Sequence, residues 1–264
     1  MSLRTGRDAR RVDEDRSILS RPAPPPDRTV HYGGEPDQLA EVRFGGAASA
    51  ARPLVLFIHG GFWRPQIDRS HSAATTAALA AAGWTVATVE YRRVPGQPEL
   101  TLQDVQSALR SVPSLIERPA AGVLLVGHSA GGHLALWAAT KGNPELAGVL
   151  ALAPVADLRL ALERNLGDGA AAKFLGAPRS RDDLDPRRLD APQIATTIVH
   201  GVEDAIVPLA LAESYQAAHP RTRLVRVGGA GHFALIDPFT SAWPVVLQEL
   251  GALSSRATSR SPSP

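Results

Sequence analysis

The sequence predicts an α/β fold, with a mostly parallel central sheet and helices on both faces. Three observations carry that expectation. Short apolar runs alternate along the chain with longer alanine-rich segments, and strands separated by crossover helices build parallel sheets. Two runs, LVLFI at 54–58 and GVLLV at 122–126, are continuously apolar, as strands buried on both faces must be. The 264 residues, 44% hydrophobic and 20% charged, suffice for one large core and do not match a coiled coil, a fibre or a disordered chain.

The elements follow in order. Residues 1–28 mix seven arginines with five acids and end in the run RPAPPPDR. Such a composition buries little surface and reads as a flexible arm. The domain proper spans 29–253, with strands at 39–44, 54–58 and 84–91 (WTVATVEY) and helices at 70–82, stopped by Gly83, and 102–109. Strand 122–126, helix 131–140 and strand 146–152 come next, then an irregular insertion at 155–193, read as a short cap. Strand 196–200, helix 209–219, strand 223–227 and helix 241–253 complete the domain, and 254–264 (SSRATSRSPSP) reads as a disordered tail. Ligands in such sheets bind where strands end, so chemistry is expected in the loops after each strand.

The strongest local signal is Gly127-His128-Ser129-Ala130-Gly131, directly after GVLLV and directly before a helical run. A G-x-S-x-G pentapeptide between strand and helix makes a sharp turn that presents the serine at the strand end. The plainer reading, a glycine-rich turn with a capping serine, does not need that setting. A serine hydroxyl requires a base, and the base an orienting acid. Asp204, after strand 196–200, and His232, after strand 223–227, lie in the loops and chain order that such a relay uses. Glu203 is the rival acid; Asp204 is preferred because G-x-x-D followed by an apolar pair and Pro208 turns it toward His232. His59-Gly60-Gly61-Phe62-Trp63 closes strand 54–58, and glycines there let main-chain amides approach a developing oxyanion. Gly60, Gly61 and Ala130 are the expected oxyanion donors. Phe62, Trp63 and Arg64 are expected at the substrate pocket, although Trp63 also suits the core. His128 and His133 are read as packed structural histidines.

These motifs resemble the α/β-hydrolase superfamily over about residues 30–253. Within it, H-G-G-F-W followed by G-H-S-A-G-G-H-L is similar to the kynurenine formamidase (arylformamidase) group, and Glu90-Tyr91-Arg92 resembles a tyrosine–arginine pair shared by that group and the hormone-sensitive-lipase-like esterases. The resemblance implies a serine hydrolase that cleaves N-formyl-L-kynurenine to kynurenine and formate. A carboxylesterase on short-chain or aryl esters is the alternative, and a non-catalytic binding module of the same fold a third reading. A kynurenine-type carboxylate would call for a cation, for which Arg64, Arg159 and Arg164 are candidates.

Other classes are disfavoured. With no cysteine, disulfides and thiolate sites are excluded. No H-E-x-x-H or G-x-G-x-x-G stands in a suitable context, so neither a metal nor another cofactor is expected. The pI of about 9.4 accompanies a net charge of only +2, because few groups titrate between neutrality and pH 9. No nucleic-acid partner is therefore expected. No apolar stretch is long enough to cross a membrane, and no apolar region follows the N-terminal arginines, which leaves cytoplasmic location as the default. The expected partner is a small acyl amide or ester, and the arm leaves room for a homodimer.

Overall fold

The computed structural model describes residues 14–116, 122–177 and 181–258. Its strands are β1 (Arg28–His31), β2 (Leu39–Arg43), β3 (Leu54–Ile58), β4 (Val86–Val89), β5 (Val123–His128), β6 (Leu146–Leu152), β7 (Ala195–Gly201) and β8 (Arg223–Val227). They form one sheet in the order β1-β2-β4-β3-β5-β6-β7-β8. β1–β2 and β2–β4 pair antiparallel and every other pair is parallel. The central strands are apolar throughout because both of their faces are covered. On β3, Leu54, Leu56 and Ile58 enter one core cluster, while Val55 and Phe57 enter the other. One cluster is roofed by α1 (Ala73–Ala81) and α7 (Trp243–Thr258), the other by α2 (Pro98–Leu115), α3 (Ala130–Ala139) and α6 (Ala210–Ala218).

The expected strand and helix alternation is found, with differences that have physical causes. β1 was not expected: it is four residues long, and its burial pattern exposes all but Val30. α2 is longer than 102–109, because Pro98 at its first turn forfeits no helical hydrogen bond. The insertion at 155–193 is not irregular throughout. It holds α4 (Leu158–Glu163), capped by Asp157 accepting from the Leu160 amide, and α5 (Leu166–Leu175). The tail begins later than expected, since α7 continues to Thr258; residues 259–264 lie outside the described residues.

The largest correction concerns the arm. Its first thirteen residues lie outside the described residues, but from Glu14 onward the chain packs on the domain. Ile18, 1% exposed in a 3-10 turn (Ser17–Ser20), joins the core beneath α1 and α7. The Arg21 guanidinium grips Asp237 with bonds of 2.5 and 2.8 Å. The polyproline carbonyls are also used: Arg43 Nη1 donates to Pro24 O at 2.7 Å and Pro25 O at 3.0 Å. Composition averages over such a segment, whereas one buried isoleucine and a few well-placed charges are enough to dock it. No helix of the described residues is long and apolar enough to cross a membrane.

Ile18→Ala is expected to destabilise the protein by about 2–4 kcal/mol, the usual loss for a truncated core aliphatic. Urea unfolding at neutral pH measures it, and a loosely tethered arm would give under about 0.5 kcal/mol.

Candidate active site

β5 ends at His128 and α3 begins at Ala130, so Ser129 alone carries the reversal, with φ 57° and ψ −118°. A side-chain-bearing residue holds that conformation only when its surroundings enforce it. Here the enforcement is steric. A Cβ on Gly127 would lie 2.2 Å from Gly131 O, and one on Gly131 would lie 2.1 Å from Ile58 O. Both positions must be glycine for the helix to start this close to the sheet. The Ser129 amide donates to Leu152 O at 2.8 Å, tying the turn to β6.

The loop after β3 meets this turn. A Cβ on Gly60 would come within 3.1 Å of Ser129 Cβ, so the two loops are in contact. Gly61 has φ 105°, where a Cβ would strike Ile67, and Phe62 and Trp63 follow with φ near 54°. The amides of Gly61, Phe62 and Ala130 donate to no backbone oxygen among the described turns and loops.

Buried Glu90 at the end of β4 holds this loop. Its carboxylate accepts from His59 Nε2 at 3.1 Å, from the Arg69 amide at 3.0 Å and from Arg93. His59 Nδ1 lies 2.8 Å from Gly60 O, and Tyr91 Oη donates to His59 O at 2.9 Å. Burial alone would raise the Glu90 carboxyl, but the His59 contacts, the Arg69 amide and Arg93 hold it well below the usual carboxylate range.

On the other side, His232 Nδ1 donates to Asp204 Oδ2 at 2.7 Å. Asp204 Oδ1 accepts from the amides of Ile206 at 2.9 Å and Val207 at 2.7 Å. Against the raising effect of burial, His232 and His200 keep the Asp204 carboxyl far below its ordinary value. His128 Nε2 donates to His232 O at 3.2 Å, with its ring 4.5 Å from the His232 ring. Burial pushes His128 well down, so it stays neutral beside the site. Asp204, rather than Glu203, therefore reaches the imidazole.

Ser129 and His232 line one cavity of about 660 Å³ with Gly61, Phe62, Arg64 and His71. That volume suits a small organic ligand. Other expectations are corrected. Trp63 is not at the pocket: it is 3% exposed, stacked on Phe174 at 4.6 Å and edge-on to His133 at 5.1 Å. Arg159 lies on another surface, paired with Asp182 at 3.1 Å. Arg64 does face the cavity, but its Nη2 donates to Gly167 O at 2.7 Å and so pins the cap to the loop after β3. Arg164 lines the cavity with the cap residues Asn165–Asp168, of which Asn165, Gly167 and Asp168 are left-handed. Sequence reasoning missed the contributions of Arg16, Leu19, His71 and Glu90. Only Glu90 carried a signal, in Glu90-Tyr91-Arg92. Among the described residues no cluster of three histidines or carboxylates is arranged to hold a metal ion.

The BD-FAE family model matches residues 44–174. A kynurenine formamidase from Danio rerio is 30% identical over 139 residues, covering 49% of this chain and 46% of that protein. Esterase LipC from Mycobacterium tuberculosis is 24% identical over 253 residues, 80% of this chain and 60% of its own length. The chain spans about half the length of the formamidase it matches. Esterase B from Lactobacillus rhamnosis superposes with a TM-score of 0.75 at 21% identity, covering 93% of this chain and 91% of that one. By fold the chain is an α/β-hydrolase. The relatives it matches in part are a kynurenine formamidase and an esterase.

Acid is expected to weaken the fold. Burial pushes the His133 imidazole, which donates to Leu184 O at 2.9 Å, down to about 4. The unfolded chain then binds the extra proton between about pH 6.5 and 4, so stability falls as pH drops through that window, by about 3 kcal/mol. The lowered Glu90 and Asp204 add losses of the same sign below about pH 4.5. Urea unfolding at pH 7 and pH 4.5 measures the fall, and His133→Gln is expected to remove its own share of it, the lowered His128 and His71 contributing the rest with the same sign.

Proposed function

We propose that this chain hydrolyses small acyl amides or esters through Ser129, His232 and Asp204, and that its preferred substrate is a formyl amide of the N-formyl-L-kynurenine kind. The observation that carries the reading is the His232–Asp204 contact of 2.7 Å, whose imidazole lines the cavity that Ser129 also lines.

The chemistry follows from the groups present. His232 accepts the Ser129 proton as the serine oxygen attacks the acyl carbon, and Asp204 stabilises the resulting imidazolium. The oxyanion accepts hydrogen bonds from the Gly61 and Ala130 amides, with Gly60 giving the loop its close approach. The tetrahedral species collapses as His232 protonates the leaving amine or alcohol, leaving an acyl-serine. Water then repeats the sequence, releasing the acid and restoring the serine. The preference for a formyl amide draws on the Danio rerio formamidase similarity and on a cavity of about 660 Å³, roomy enough for an aromatic amino-acid leaving group.

A carboxylesterase acting on short-chain or aryl esters is the second reading. It is favoured by the LipC similarity, which extends over 80% of this chain, against 49% for the formamidase.

Ser129→Ala is expected to lower kcat by about 10⁴-fold or more, and Asp204→Asn by about 10³–10⁴-fold. Steady-state kinetics on N-formyl-L-kynurenine and p-nitrophenyl acetate checks both variants and separates the readings. A formamidase favours the former by orders of magnitude in kcat/KM, whereas an esterase favours the latter. Undiminished turnover in Ser129→Ala would remove the proposal altogether.

A further inference from the structure

The docked N-terminal segment does more than cover the core. Glu14 lies between the loop that carries Asp204 and the loop that carries His232. Its Oε1 accepts from the Ala205 amide at 3.0 Å, and both oxygens accept from the His232 amide at 2.8 Å. One carboxylate thus bridges the residue after the acid to the base itself. Neighbouring amides of the acid loop are met locally: Val202 donates to Val227 O, Glu203 to Ala230 O, and Ile206 and Val207 to Asp204 Oδ1. Charge-assisted bonds of this kind are among the stronger ones. The bridge also depends on Gly231, where a Cβ would lie 2.4 Å from Glu14 Oε2.

Two residues further on, Arg16 lines the cavity with Ser129 and His232, its guanidinium carbon 5.5 Å from the Phe233 ring centroid. Among the described residues Arg16 takes part in no ion pair, whereas Arg64 is bound to the cap. Phe233 directly follows the base, and the base must reach the departing atom to protonate it. Arg16 therefore stands on the leaving-group side. Ile18 in the core and the Arg21–Asp237 fork fix the segment from beyond.

We infer that Glu14–Leu19 forms the leaving-group wall of the active site, in which Arg16 selects substrates whose leaving group carries an anion and Glu14 is the positioning residue that fastens this wall to the base. The inference rests on the proposed triad. The selected class is acyl amides and esters of carboxylate-bearing amines or phenols.

Two acetate esters test it: 4-acetoxybenzoate, with a carboxylate on the leaving phenol, and phenyl acetate, with none. Arg16→Ala is expected to lower the ratio of their kcat/KM values, charged over neutral, by about 3–10-fold, chiefly through KM. Arg16→Glu should lower it further and Arg16→Lys restore part of it. Raising salt to about 0.5 M should shrink the wild-type preference. Glu14→Gln should lower kcat on both esters and move the acidic limb of the pH–rate profile, a change that loss of stability alone would not produce. A charged-to-neutral ratio unchanged in Arg16→Ala and Arg16→Glu, with Ser129→Ala inactive, would overturn the wall and leave the hydrolase reading standing. An active Ser129→Ala would instead remove the reading beneath it.

Discussion

The site depends on a close approach of main chain to main chain. Gly131 in the first turn of α3 sits where a single Cβ would fall 2.1 Å from Ile58 O and 2.4 Å from His59 O. That contact joins two features with no sequence link. It forces the turn that holds Ser129 at positive φ, and it presses the start of α3 against the loop carrying Gly60 and Gly61. The Gly60–Gly61 loop and the serine are thereby brought together by one steric constraint, with no need for a hydrogen bond between them. Strain in the backbone at Ser129, Phe62 and Trp63 is tolerated because a core on both sides of the sheet over-determines it.

Two buried carboxylates then fix the loops on either side of the cavity. Glu90 gathers His59, the Arg69 amide and Arg93, and Asp204 gathers His232, His200 and two amides. Both pay a desolvation penalty that only several charged or amide partners offset, which is why each stands at the centre of a cluster and not in a simple pair. The two clusters differ in consequence. Glu90 touches the site only through the backbone that His59 and Tyr91 hold, whereas Asp204 touches an imidazole that itself lines the cavity.

How far the sequence reveals these arrangements depends on the range of the interaction involved. The two-sided burial of β3 and β5 is written in consecutive residues, and so is the crowding at Gly127, which meets Gly131 four residues on. Both could therefore be read from the sequence, while the crowding of Gly131 against β3 shows only through the G-x-S-x-G pattern. The pairing of Asp204 with His232 was inferable because strand ends in a parallel sheet collect at one rim, so chain order becomes spatial order. β1 was invisible because an exposed four-residue edge strand needs no apolar pattern. Trp63 was ambiguous because its surroundings, Phe174 and His133, come from α5 and α3, more than sixty residues away in sequence. Arg64 stood at the right place, yet its partner Gly167 lies in a cap whose path follows from left-handed turns that no periodicity announces.

The parts that the sequence conceals are those that shape the cavity. Its floor is the sheet rim with Ser129 and His232, set by packing that tolerates few residue types. Its walls are the cap at 164–168 and the segment around Arg16, each attached by a few polar bonds such as Arg64 to Gly167 O and Glu14 to the His232 amide. A wall fastened by two or three hydrogen bonds can be rebuilt by changing a few residues, while the floor cannot change without unmaking the turn at Ser129. This division explains why structures about 20% identical to this chain keep its fold so closely, while the overall fold says little about what the cavity accepts. The turn at the sheet rim is constrained by sterics, and under the proposed hydrolysis the choice of substrate would fall to electrostatics at the walls, where Arg16 and Arg164 line the cavity outside any ion pair among the described residues.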